Sequence, residues 1–443
     1  MLRLLLLICS IILSINSFSQ SYWCIQNDRS EELLLTIDIN PKNLTFEAYS
    51  RKEALKDMVG SFIYMMAKTT GKIKYPELAH GSGKISYESD TTYYDGMIDY
   101  PDNTFRLKAK SWKDNFTGQL TDAKNRTRII IGERVSSDKP LRDYSLLIGN
   151  TFSLIEKYYW DANIIKSPEW QDYKREVNKH KLLISDDYEL GLTMMWPGKK
   201  LQQIPHDIRK INKNISGQPQ KGSYSLKILE GNAAYLSLNN VSESRDETDL
   251  LFKEIQEKKI EILILDLRLG RRNLPLDAAL LLAGHLTDKT TNWGTFLTRK
   301  FTDAGNPVFP LSSALEKSLK NPLDLPDIIN KCYLENGLFL RVQPSHPWFS
   351  GKIYGLIDKS TSSVAEAFAI FLKKEKIALL AGQKSAGSPS LINNLDLEKQ
   401  YRISVPVARF YDKDGKSYQG TGIDPDILSD EPDLLKVIMK KGK

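Results

Sequence analysis

The chain reads as an α/β protein: an antiparallel β domain comes first, then a helical connector, then a layered βα core. Three observations predict this. Apolar residues alternate between positions 33 and 48, and again between 105 and 109, the two-residue period of half-buried strands. From about residue 230 apolar strands alternate with helical segments, the pattern of an α/β layer. The stretch Leu356-Ile-Asp-Lys-Ser-Thr-Ser-Ser-Val-Ala-Glu-Ala-Phe368 reads as a buried strand, a small-residue turn and a helix. At 443 residues the chain is too long for one ordinary domain and long enough for two or three cores.

The first segment, residues 1–19, has the layout of a secretory signal. Arg3 precedes an apolar run from Leu4 to Leu13, and small residues follow at Ser17 and Ser19. The run is too short to span a bilayer, and no later segment is long and apolar enough. The expectation is an exported chain: periplasmic, cell-surface or extracellular. Cys24 follows Ser21-Tyr-Trp23, without the small residues expected before a lipid-anchored cysteine.

Residues 20–135 are expected to form an antiparallel β-sandwich or barrel. Leu33, Leu35, Ile37 and Ile39 alternate, then Leu44, Phe46 and Ala48, then Phe105, Leu107 and Ala109, and Ile129 to Ile131 closes the region. Asp95-Gly96 and Pro101-Asp-Asn103 are credible turns. Tyr93, Tyr94 and Trp112 are ligand-binding candidates, although strand aromatics more often fill a core.

Residues 136–229 form a helical connector and an arm. Phe152, Ile155 and Tyr159 recur at helical spacing, as do Trp170 and Tyr173, so two or three helices are predicted. Ser185-Asp-Asp-Tyr188 marks a turn, and the polar stretch from Pro197 to Gly222 reads as a connecting arm.

The core occupies residues 230–443. Ala233–Leu238, Ile260–Leu267, Thr295–Arg299, Leu338–Val342, Ile353–Ile357, Ile377–Ala381 and Tyr401–Val405 are read as strands. Asp246–Lys258, Leu274–Leu286, Val364–Lys374 and Glu431–Lys441 are read as helices. Ile260–Leu267 is apolar enough to lie mid-sheet.

The composition narrows the function classes. Hydrophobic residues make up 41% and charged residues 26%, ordinary for a globular chain. The net charge of +7 is spread with no basic run, which argues against nucleic-acid binding. Cys24 and Cys332 are no disulfide framework; they read as two unpaired thiols, with a pairing across domains in an oxidising compartment left open. Without a CxxC or a histidine cluster, neither a metal nor another cofactor is expected.

Ser363 is the residue around which the chemistry turns. A serine where a helix begins meets backbone N–H groups without intrahelical partners and the positive end of the helix dipole. An oxyanion formed there finds donors in place. The same residue type also serves as a plain helix cap.

Several motifs, taken together, resemble the tail-specific, or C-terminal processing, serine proteases. Asp266-Leu-Arg268 follows an apolar strand. Ser363-Val-Ala-Glu366 resembles the nucleophile segment. Gly382-Gln-Lys-Ser-Ala-Gly387 resembles a Gly-Glu-x-Thr-x-Gly loop, and Gly420-Thr-Gly-Ile-Asp-Pro-Asp426 a Gly-x-Gly-Ile-x-Pro-Asp segment. The resemblance covers roughly residues 150 to 430. The helical Phe152–Trp160 points to the tricorn and retinoid-binding-repeat branch.

The resemblance implies a crotonase-like (ClpP-like) core, a peptide or protein substrate, Ser363 as nucleophile and the Val364 N–H as oxyanion donor. Other positions depart from the family pattern. Ser388 stands where processing proteases place a lysine base, and Lys384 lies nearby. Tyr188 stands where the tricorn-like branch places histidine. A tyrosine that titrates near ~10 is a poor base at neutral pH. Among His80, His180, His206, His285 and His346, His180 is the best substitute, with His346 next.

After Asp-Leu-Arg the chain reads Leu269-Gly-Arg-Arg-Asn273 in place of a glycine-rich loop. Gly270 and Gly387 therefore remain as substrate-binding candidates, and Arg271 or Arg272 as sources of charge. The gap between Tyr188 and Gly231 is too short for a PDZ domain. Two functions follow: a serine-type peptidase with reduced or absent activity, or a non-catalytic protein that binds a peptide or apolar ligand on the same fold.

Overall fold

The computed structural model describes residues 19–27, 31–51, 77–100, 103–136, 142–198, 208–211, 224–238, 244–269, 274–305, 325–398 and 401–430, with 434, 435 and 438. The signal-like residues 1–18, Gly270 to Asn273, His206, and most of the expected helix at 431–441 lie outside them.

Eight strands open the chain: β1 (Ser19–Asn27), β2 (Glu32–Asn40), β3 (Thr45–Tyr49), β4 (His80–Glu88), β5 (Thr91–Tyr100), β6 (Asn103–Trp112), β7 (Asn115–Asp122) and β8 (Thr127–Val135). Each pairs antiparallel with the next, and β1 pairs with β8, so the sheet closes into a barrel. Closure removes both sheet edges. Trp23, Ile37, Phe46, Tyr94, Leu107 and Phe116 are among the side chains that fill the interior. The period-2 pattern thus gives a barrel rather than a sandwich. Tyr94 belongs to the core, whereas Tyr93 and Trp112 lie on the outer wall, each 37% exposed.

A helical layer follows: α1 (Ser145–Tyr158), α2 (Ala162–Lys166), α3 (Pro168–His180) and α4 (Asp187–Gly198). Ser167 caps α3 by accepting the Trp170 N–H, with Pro168 at the first helical position. Phe152, Ile155, Tyr159, Trp170 and Tyr173, the residues at helical spacing, share one buried cluster.

The expected arm contains a short strand, β9 (Ile208–Lys210). Next come β10 (Ser225–Leu229), β11 (Ala233–Ser237), α5 (Arg245–Glu257), β12 (Ile262–Asp266), α6 (Leu276–His285), β13 (Thr291–Thr298), α7 (Arg299–Asp303), α8 (Leu325–Leu334) and β14 (Gly337–Val342). The chain continues with β15 (Lys352–Ile357), α9 (Ser363–Lys374), β16 (Leu379–Gly382), β17 (Ser390–Asp396), β18 (Tyr401–Asp412) and β19 (Ile427–Leu428).

Two sheets form the core. One runs β10-β11-β12-β15-β16-β19 and is parallel from β11 onward. The other runs β14-β13-β18-β17, with β9 added to β18. α5, α6 and α9 contribute to the apolar cluster between the sheets, which holds Leu263, Leu265, Phe296, Phe368, Phe371 and Phe410. Burying one such phenylalanine contributes about 1.5–3 kcal/mol. Cys332 is buried there, Cys24 lies in the barrel wall, and both are free.

Candidate active site

Strands β12 and β15 lie side by side in the parallel sheet, with Asp266 opposite Leu356. Every residue of β12 is buried, as its apolar run requires. Both strands end at the same level, where Leu267 donates its N–H to the Leu356 carbonyl at 3.0 Å. The carboxyl ends of parallel strands are where α/β sheets place their ligand crevices.

The turn after β15 is locked by Thr361. Its hydroxyl accepts the Asp358 N–H at 3.1 Å and donates to the Leu267 carbonyl at 3.1 Å. The turn is thereby tied to the Asp-Leu-Arg segment. Within that segment Asp266 accepts from Arg268 through Nε at 2.8 Å and Nη2 at 2.7 Å, and from the Tyr235 hydroxyl at 2.6 Å. Asp266 therefore organises structure and offers no free carboxylate.

Ser363 stands at the first position of α9 with φ +57°, a left-handed conformation that costs a non-glycine residue roughly 1–2 kcal/mol. Strain of this kind collects at strand-to-helix turns that carry nucleophiles. The side chain is buried, and its Oγ donates to the Ser390 carbonyl at 2.9 Å. Its N–H goes to the Ser388 carbonyl at 3.0 Å. The Val364 N–H meets no acceptor among the described residues, so it is placed to serve as a donor to a ligand oxygen.

Glu366 is the one acid on an otherwise apolar helix face, and it is fully buried. Its carboxylate accepts from the Gly387 N–H at 2.8 Å, the Ser388 N–H at 2.7 Å and the Ser385 hydroxyl. Burial pushes its pKa up, and these three donors pull it back. Ser385 in turn accepts the Ile423 N–H at 2.7 Å. Gly387, at φ +75°, lies so close to the Gly420–Gly422 backbone that a Cβ would come within 2.9 Å of the Gly422 nitrogen. The four motifs thus converge on one corner of the core, with Glu366 as the post to which the 385–388 loop is fastened.

This geometry assigns Gly387 a different task from substrate binding. Its N–H is committed to Glu366 and its carbonyl accepts from the Gly420 N–H at 2.7 Å. Lys384 is exposed and pairs with Asp424 at 3.1 Å. Gly270 lies outside the described residues. His180 ends α3 in the helical layer, and no hydrogen bond links it to Ser363. His285 is occupied by the Pro347 carbonyl at 2.6 Å and by Asp249 at 2.9 Å. Among the described residues no histidine or lysine is hydrogen-bonded to Ser363.

Ser185-Asp-Asp-Tyr188 is the start of α4 rather than a free turn, and its acids face the barrel. The β2–β3 ladder ends at Thr36–Tyr49. Beyond it, Asp186 accepts the Leu34 N–H at 2.9 Å and Asp187 the Glu32 N–H at 3.0 Å. Asp186 also caps α4 by accepting the Glu189 N–H at 2.8 Å. Asp187 receives the Tyr144 hydroxyl at 2.9 Å and the Tyr401 hydroxyl. Glu189 pairs with Arg51 at 3.2 Å. These carboxylates join the barrel to the helical layer.

Sequence reasoning overlooked Thr361, Ser385 and Ser390 as parts of the site. The signal lay in Glu366, because a lone acid amid Val364, Ala365, Phe368 and Leu372 must find donors.

A parallel sheet that delivers a strained serine to a helix start, with an open N–H beside it, defines the class: an α/β core built like that of a serine peptidase. Residues 232–429 match the family model of peptidase family S41, and the core of this chain belongs to that family, the tail-specific proteases. No curated protein matches the chain.

Among solved structures, a candidate peptidase from Parabacteroides merdae is 14% identical with a TM-score of 0.43, covering 67% of this chain and 95% of its own. A lipoprotein from Streptococcus agalactiae is 16% identical with a TM-score of 0.42, covering 67% and 96%. The photosystem II D1 C-terminal processing protease is 13% identical with a TM-score of 0.34, covering 75% and 61%.

Proposed function

We propose that this chain is an exported serine-type peptidase that acts on peptide or protein substrates through Ser363, with weakened hydrolysis. The observation that carries this reading is the Ser363 hydroxyl donating to the Ser390 carbonyl at 2.9 Å. Ser363 lies on a strained turn beside the open Val364 N–H, which supports the reading. Its hydrogen-bond partner, however, is a backbone carbonyl, which accepts a hydrogen bond but cannot take the proton.

In the reaction Ser363 Oγ bonds to the scissile carbonyl carbon while the Val364 N–H receives the developing oxyanion. The C–N bond breaks, the amine leaves with the serine proton, and water then releases the acyl group. Serine catalysis without a resident base loses most of its rate while substrate binding is retained. The apolar run from Leu4 to Leu13 supports export.

The test is cleavage of a denatured protein pool, read as new N-termini, by wild type and Ser363→Ala. Slow cleavage that disappears in the variant supports the reading. Equal cleavage by both, or none by either, removes it.

A second reading, a peptide- or apolar-ligand-binding protein on the same fold, is favoured by a cavity of about 330 Å³ on the barrel wall. Gln20, Tyr22, Leu34, Thr36, Tyr49 and Arg51 line it. Peptide binding without any turnover by wild type selects this reading.

A further inference from the structure

Alternate residues of β6 point away from the barrel interior, and four of them are Arg106, Lys108, Lys110 and Trp112. All four are exposed, whereas Phe105, Leu107 and Ala109 between them are buried in the barrel core. Spaced two apart, the three cations form a stripe along the strand without forming a run in the sequence.

The register carries this stripe across the wall. Lys110 stands opposite Tyr93 on β5 and Thr117 on β7, and Thr117 stands opposite Ile131 on β8. Two residues along, Lys108 stands opposite Asp95 and Gln119, and Gln119 opposite Ile129. Arg106 stands opposite Met97. Ile129 is 61% exposed and Ile131 53%, and Met97 is open to solvent as well. Single exposed apolar residues are ordinary, but two large aliphatics side by side on one strand, rimmed by cations, mark a surface that meets something.

The charge on this face is unbalanced. Asp95 pairs with Arg106 at 3.2 Å. Lys108 and Lys110 meet no carboxylate among the described residues, and the Lys110 ammonium lies 5.6 Å from the Trp112 ring centroid. Glu88 and Glu133 stand at the margin, opposite Thr91 and Asn115. The barrel is fastened to the helical layer on another side, through Glu32, Leu34 and Arg51. Because the barrel is closed, a partner cannot add a strand and must meet these side chains.

We propose that this wall, centred on Lys108, Lys110, Ile129 and Ile131, docks on a lipid bilayer that contains anionic phospholipid. The ammonium groups meet the lipid phosphates. Ile129, Ile131 and Trp112 reach the boundary between headgroups and acyl chains, and the lysine stems cover apolar surface beside them. A soluble polyanion would satisfy the lysines and leave the isoleucines in water, so the exposed aliphatics favour lipid. The proposal is independent of any role of Ser363.

The test is sedimentation of the full chain with vesicles of phosphatidylcholine, alone or mixed equally with phosphatidylglycerol. The apolar run from Leu4 to Leu13 is common to every variant, so the differences between variants report the barrel wall. Wild type should bind the anionic vesicles more tightly than the zwitterionic ones, and less so at high salt. A basic residue beside an anionic surface strengthens binding about fivefold, so Lys108→Gln with Lys110→Gln should weaken it about 25-fold. Ile129→Ser with Ile131→Ser should weaken it at least about tenfold. Lys108→Arg with Lys110→Arg should keep it, as should the charge-matched control Lys253→Gln with Lys289→Gln.

Equal weakening in that control would trace binding to net charge and overturn the proposal. So would unchanged binding in the Lys108/Lys110→Gln variant, equal binding to both kinds of vesicle, or no binding to either. Capture by an oligothymidylate column that the same variant abolishes, without vesicle binding, would assign the stripe to nucleic acid and overturn it too.

Discussion

The Glu366 carboxylate accepts the Ser388 N–H at 2.7 Å, and the Ser388 carbonyl accepts the Ser363 N–H at 3.0 Å. One buried acid therefore sets the position of the serine through a single intervening residue. Glu366→Gln turns an acceptor into a donor facing an N–H. It is expected to cost about 1–3 kcal/mol. The expected result is a lower urea midpoint at unchanged slope and faster amide exchange at Gly387 and Ser388. An unchanged midpoint would show that Glu366 is not the post of the loop.

The left-handed backbone at Ser363 predicts an unusual order of stabilities. Ser363→Ala keeps the strained φ of +57° and loses the bond to Ser390. Ser363→Gly loses the same bond but relieves the strain. The glycine variant should therefore be the more stable of the two by about 1 kcal/mol. Thermal unfolding of the two variants checks this. An alanine variant as stable as the glycine variant would mean that the turn carries no strain.

The barrel junction should be sensitive to pH. Burial pushes the pKa of Asp186 from 3.8 up to about 7, with Glu189 adding to the rise. The folded state thus holds a proton that the unfolded state has released. Its stabilising contribution is present in full below about 4 and is lost as pH rises through about 7. Wild type should lose stability at this locus between those limits, and Asp186→Asn should lose less across the same range. Urea midpoints at pH 5 and pH 7.5 for both proteins measure the difference. Parallel curves would place the pH response elsewhere.

Much of this molecule was legible in the sequence, and the reasons are specific. The alternation through Leu33, Leu35 and Ile37 is local, so it showed in a short window. Barrel closure depends on Cys24 facing Glu133, a pairing that no local pattern encodes. The site divides in the same way. Ser363 was visible because strand, turn and helix are contiguous. The partner of its hydroxyl was not, because Ser390 lies on another strand and acts through its backbone, which carries no residue signature. Asp186 and Asp187 read in the sequence only as part of a turn. The structure uses them to close the end of a strand ladder, a role that depends on where β3 stops.

The most direct test of the central claim is covalent. Full-length protein and Ser363→Ala are incubated with a broad fluorophosphonate probe, and the modified residue is mapped by mass spectrometry. The geometry predicts slow labelling confined to Ser363 and none in the variant, because the hydroxyl is bonded to a carbonyl rather than to a base. Equal labelling of both proteins, or a label on any other residue, would contradict the assignment of Ser363 as nucleophile.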